Sequence, residues 1–146
     1  MKDIIIQDKI FKEMIDYFSS ENKESLLLGY INDELVLTKL IEIKTSGNHN
    51  LVLVTPELQI KFMKSCIINK KTPVIIHNHL FKEDLEFSEP DISFLKKFCA
   101  CYKKIGGNDG VYGMLFNNES GNIKIIKIHF NATCYGVNYR IDMRYR

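Results

Sequence analysis

Three apolar residues, Ile4, Ile5 and Ile6, open the pattern, and Ile4 to Gln7 predicts a short strand. Asp8 stands where it can cap a helix, and Ile10, Phe11, Met14, Ile15 and Phe18 recur at the three- and four-residue spacing of one apolar helical face. Polar residues from Ser19 to Lys23 break that face. Leu26, Leu27 and Leu28 then run through Gly29 to Ile31 as a strand, Asn32-Asp33-Glu34 reads as a turn, and Leu35 to Ile43 returns as its hairpin partner. Thr45 to Asn50 is a loop, and Leu51 to Val54 is a further short apolar run.

Thr55-Pro56 starts a second helix, with threonine at the cap and proline at the first helical position. Its buried side carries Ile60, Met63 and Ile67, with Cys66 beside them. Pro73 to His79 reads as a central, buried strand, and a charged loop from Leu80 to Phe87 follows. Ser88-Glu89-Pro90-Asp91 opens a third helix, on which Ile92, Leu95, Phe98, Cys99 and Tyr102 share a face until Gly106 and Gly107 stop it. Val111 to Phe116 and Ile123 to Phe130 form a closing hairpin. The order β-α-β-β-β-α-β-α-β-β predicts an α/β fold of the mixed α+β kind, a mixed β-sheet flanked by helices.

With 146 residues and no repeat or Pro/Gly/Ser linker, the chain reads as one domain, 1–146, able to bury its own core. It is too short for a (β/α)8 barrel, which needs roughly 200 residues or more. Twenty basic against eighteen acidic residues give a net charge of +2, which argues against nucleic acid as a partner. No stretch has the length of a signal peptide's apolar region or of a membrane span, so the expectation is a cytoplasmic protein without membrane contact. Cys66, Cys99, Cys101 and Cys134 then read as reduced thiols.

Chemistry concentrates in His77-Asn78-His79, eight further residues, and Ser88-Glu89-Pro90-Asp91. Alternate residues of a strand share a face, so His77 and His79 project together, roughly 7 Å apart at about 3.3 Å per residue. Two imidazoles at that spacing can converge on one metal ion, and Asp91, in the first turn of the next helix, can return a carboxylate to the strand's end. Two histidines and one carboxylate leave a fourth position of Zn2+ open, as in a catalytic site; the same ligands also suit Fe(II). Ser88-x-x-Asp91 is equally the pattern of a helix cap.

The combination resembles the signature of the JAMM/MPN (JAB) metalloproteases, in a form like their prokaryotic single-domain members: His-x-His, seven to ten residues, then Ser-x-x-Asp. The resemblance extends to the order of elements over nearly the whole chain. It implies that His77, His79 and Asp91 ligate zinc and that Ser88 orients or stabilises an oxyanion. It also implies a zinc metallopeptidase, a deubiquitinase-like isopeptidase acting on a ubiquitin-like protein or its conjugates, or else a non-catalytic MPN-type binding module. The family's general base is a glutamate, six residues and then a glycine. Counting back from Gly29 gives Asn22, so the base falls to Glu24, with Glu21 as the alternative. Asn78 and Leu80 stand where many members have Ser or Thr and Pro.

Elsewhere, Cys99-x-Cys101 reads as structural, because Cys99 lies on the apolar helix face. His49 and His129 read as loop or strand-end residues. Arg140, Arg144 and Arg146 read as a frayed basic tail.

Overall fold

The computed structural model describes residues 2–20, 24–42, 55–80 and 85–143. Their elements are β1 (Ile4–Gln7), α1 (Asp8–Ser19), β2 (Leu26–Ile31), β3 (Val36–Glu42), α2 (Pro56–Ile68), β4 (Thr72–His79), α3 (Glu89–Lys104), β5 (Gly110–Asn117), β6 (Ile123–His129), β7 (Cys134–Val137) and β8 (Tyr139–Asp142). All eight strands join one mixed sheet in the order β7-β6-β5-β4-β2-β3-β1-β8. The expected run at Leu51 to Val54, the loop at Thr45 to Asn50, and His49, Glu21, Arg144 and Arg146 lie outside the described residues.

Strand alternation sorts the interior into two cores, one on each face of the sheet. Ile4, Ile6, Leu27, Val74, Ile76, Met114 and Ile125 meet the Ile10, Met14 and Phe18 face of α1. Leu26, Leu28, Ile75, Val111, Ile126 and Ile128 meet Phe62, Met63 and Cys66 of α2 and Leu95, Phe98, Cys99 and Tyr102 of α3. The buried face of α2 is therefore rotated from the expected one: Phe62 is buried, whereas Ile60 and Ile67 are half-buried. Phe62 faces Tyr30 of β2 and Phe98 of α3, with ring centroids at 5.5 and 6.4 Å, and that aromatic contact fixes the helix's rotation.

Two expectations need correction. Gln7, not Asp8, holds the N-cap position of α1; Asp8 is the first helical residue, buried and paired with Lys12 at 2.9 Å. Arg140 is not part of a frayed tail, since it lies within β8. A single extended segment, interrupted only at Asn138, supplies both edges of the sheet. Its first half pairs antiparallel with β6 and its second half parallel with β1. The Asn138 carbonyl accepts from Ile4 N at 2.9 Å, so the sheet curls until its edges meet around α1. Strands of only four residues, Cys134 to Val137 and Tyr139 to Asp142, leave little period for a sequence reading to detect.

The unit that matters for function is β4-α3-β5. β4 and β5 are parallel, with Val74 to His79 set against Tyr112 to Asn117, and α3 forms the crossover. In such units ligands gather beyond the carboxyl ends of the strands. His77 and His79 occupy that end of β4, and α3 begins beside it.

Candidate metal centre

On β4, Ile75 faces the α2 and α3 core, and residues two and four further along share its side. His77 and His79 therefore project towards α3, while Val74, Ile76 and Asn78 project towards α1. The imidazoles lie with centroids 5.1 Å apart, and both residues are buried. The ring of Phe87, half-buried in the segment leading to α3, stands 5.7 Å from that of His77 and shields it from the open side.

Asp91 completes the group. It is the third residue of α3, and helix capping fixes its side chain: Ser88 Oγ accepts from Asp91 N at 3.2 Å, and Ser88 N donates to Asp91 Oδ2 at 2.9 Å. This reciprocal capping box aims the carboxylate back at the strand. Asp91 Oδ2 lies 3.0 Å from His77 Nε2 and 3.4 Å from His79 Nε2. Burial works to raise the Asp91 pKa, but the hydrogen bond and charge of His77, with the backbone N–H and the side chain of Ser88, together hold it well below the usual carboxylate range.

These three residues offer ligand atoms that all lie within 4.8 Å of one another, from three buried side chains. Ligands about 2.0–2.1 Å from a tetrahedral ion stand roughly 3.3 Å apart, and the two His–Asp separations bracket that value. The donor set, two neutral nitrogens and one carboxylate, fits a divalent ion such as zinc or ferrous iron. The residues present therefore fit a metal ion.

Ser88 is exposed, and its Oγ, which accepts from Asp91 N, also carries an O–H of its own. Glu24 is exposed and precedes β2. The last register pair between β2 and β4 sets Leu26 against His77. Carrying that register on by two residues sets Glu24 against His79, on the face of the histidines. The structure thus gathers His77, His79, Asp91 and Ser88 at one point, with Glu24 two residues before the start of the adjoining strand β2.

Sequence reading attached no role to Phe87 or Asn78. Asn78 is fully buried and serves the α1 face: its Oδ1 accepts from Ser25 N at 2.6 Å and its Nδ2 donates to Asn118 Oδ1 at 2.9 Å. An asparagine inside an apolar strand was itself the signal, since a buried amide needs partners.

No protein-family model matches the sequence, and no curated protein matches it. Among solved structures, a JAB1/MPN domain protein from Archaeoglobus fulgidus superimposes with a TM-score of 0.55 at 14% identity, covering 96% of this chain and 100% of that one. A structure described as a metalloprotease-like JAMM zinc site in the proteasome and signalosome aligns over 95% of this chain and 99% of that one, at 12% identity and a TM-score of 0.46. The first of these likenesses, read with the mixed sheet and its three helices, shows that the chain has the JAB1/MPN fold.

Proposed function

We propose that this chain is a zinc-dependent metallopeptidase that hydrolyses an amide or isopeptide bond at the C-terminus of a ubiquitin-like protein, acting in the cytoplasm. The observation that carries the reading is the buried His77–His79–Asp91 cluster, whose ligand atoms are gathered within 4.8 Å. Zinc held there would supply Lewis acidity and a water acidified towards a pKa of about 7. The substrate class follows from the JAMM/MPN-like pattern of the sequence.

Each residue has a separable task. His77 and His79 would hold the ion through their imidazoles, and Asp91 would hold it through a carboxylate already oriented by Ser88 N–H. Glu24 takes a proton from the attacking water onto its carboxylate and passes it to the leaving amine nitrogen. The Ser88 O–H donates to the oxygen that becomes negative as the carbonyl carbon turns tetrahedral. Phe87 keeps bulk water from the His77 side.

The test is cleavage of a ubiquitin-like protein fused to a C-terminal extension, with metal content measured in the same samples. Wild type cleaves, and Glu24→Gln keeps fold and zinc but loses about 10²–10⁴ in rate, because an amide cannot take up the proton. Normal cleavage by Glu24→Gln with none by Glu21→Gln would move the base to Glu21. The exposure of Glu24 favours one second reading, a non-catalytic binding module. Binding without cleavage by the zinc-loaded wild type would establish it.

A further inference from the structure

Between the two histidines, Asn78 turns its amide away from them and into a chain of hydrogen bonds. Its Oδ1 accepts from Ser25 N at 2.6 Å. Its Nδ2 donates to Asn118 Oδ1 at 2.9 Å, and Asn118 Nδ2 donates to the carbonyl of Phe18 at 3.1 Å. Asn118 N also donates to the His79 carbonyl at 3.0 Å. Three segments thus meet at the buried Asn78 amide, the start of β2, the end of β4 and the turn after β5, and Asn118 carries the chain of bonds on to the end of α1.

The location of the Ser25 bond gives it consequence. β2 and β4 pair from Ile31↔Thr72 to Leu26↔His77, and Ser25 is the next residue outward. Its N–H is held by a side chain of β4, which extends the attachment of β2 one residue past the paired strands. Glu24 is joined to that nitrogen by one peptide unit. Strand parity carried two residues past the start of β2 sets Ser25 on the side of Leu27 and Glu24 on the side of Leu26, the face to which His77 and His79 project.

We propose that Asn78 is the positioning residue for the general base: by clamping Ser25 N–H to the strand that carries both histidines, it holds Glu24 over the metal centre. The inference rests on the reading of Glu24 as base. It explains how an exposed residue just outside a strand can be held to the fraction of an ångström that proton transfer requires. It also gives the amide a task that spans elements, its Oδ1 accepting from Ser25 N and its Nδ2 donating to Asn118 Oδ1.

The deciding experiment uses isotope-labelled chain loaded with Co2+, a paramagnetic ion suited to the same ligands. In the wild type both Phe87 and the Glu24 side chain should feel the ion. In Asn78→Ala the effect on Glu24 should fall at least two-fold while that on Phe87 stays, and Asn78→Asp, which keeps the acceptor for Ser25, should restore much of it. In metal-free protein the Ser25 amide should exchange with solvent at least ten-fold faster in Asn78→Ala. Where that variant folds poorly, Asn118→Ala, at a half-buried turn position, should show the same change in weaker form. In the cleavage assay Asn78→Ala should lower kcat ten-fold or more with KM within two-fold, and add nothing in a Glu24→Gln background.

An unaltered Glu24 signal or an unaltered Ser25 exchange rate in Asn78→Ala would overturn the positioning role while leaving the base reading intact. A wild type in which Phe87 feels the ion and Glu24 does not would overturn the base reading, and this proposal with it.

Discussion

Asp91 Oδ2 and His77 Nε2 lie 3.0 Å apart, and the same oxygen accepts from the backbone N–H of Ser88 at 2.9 Å. One carboxylate therefore closes a helix cap and faces an imidazole pair. Cap and ligand are not competing interpretations of Ser88-x-x-Asp91: capping fixes the rotamer that a ligand needs. The start of α3 is in this sense the outer shell of the metal centre.

Removal of any ligand should follow from that geometry. One Zn2+ per chain is expected, lost to chelator and on acidification, because ligands must be deprotonated to bind. His77→Ala, His79→Ala and Asp91→Ala should each weaken binding by at least 100-fold, since three protein ligands leave none to spare. Metal analysis of protein purified without added zinc checks this. Full occupancy in the His77→Ala/Asp91→Ala double variant would dismiss the centre.

The two tasks of Ser88 can be separated by substitution. Ser88→Ala removes the Oγ cap on Asp91 N and should cost about 1 kcal/mol of stability. It should also lower turnover, by about 10²–10³ if its O–H meets the oxyanion. Ser88→Asp caps well but donates no proton at neutral pH, so thermal stability should return while turnover does not. Recovery of both in Ser88→Asp would show that capping alone explains the residue.

Why the sequence revealed the site better than parts of the fold has a physical basis. His77, His79, Ser88 and Asp91 follow one another across a single strand, loop and helix start, so period and spacing alone bring them together. The first hairpin and the three helices were legible for the same reason, from strong local periodicity. β7 and β8 were not, because each has only four residues, and β8 is held by a partner at the other end of the sequence, β1. Nor was the face of α2, whose apolar residues surround it too evenly to select a side before Phe62 meets Tyr30 and Phe98. The tie from Asn78 to Ser25 spans 53 residues and depends on the register of β2 with β4, which no local pattern encodes.

Cys66 offers a test of the core beneath the site. Burial between α2 and the sheet pushes its thiol up to about 12. A group whose pKa is raised on folding stabilises the protein below its unfolded pKa, near 8.5, and loses that contribution as pH rises towards the folded value. Stability should therefore decline above about pH 8.5, this thiol contributing roughly 1.4 kcal/mol per pH unit. Urea melts from pH 7 to 10.5 should show a shallower decline for Cys66→Ala than for wild type. Alkylation should modify the exposed Cys134 in the native protein and reach Cys66 only on unfolding.

Acid should act through Asp91 in the metal-free chain, with the opposite sign. Its carboxyl is held below the usual range by His77 and Ser88 despite its burial, so the folded state favours the ionised form. The resulting stabilisation is present in full above the unfolded value, about 3.9, and drains away as pH falls towards the folded one. Asp91→Asn keeps the shape of the side chain and removes the ionisation. With chelator present, the stability difference between wild type and Asp91→Asn should be largest near pH 5 and shrink steadily towards pH 2.5, as measured by urea unfolding. The other carboxylates titrate in both proteins and cancel in the comparison. A difference that stays constant over that range would mean that the carboxylate contributes by shape and capping alone, and that its charge does not hold His77 in the empty centre.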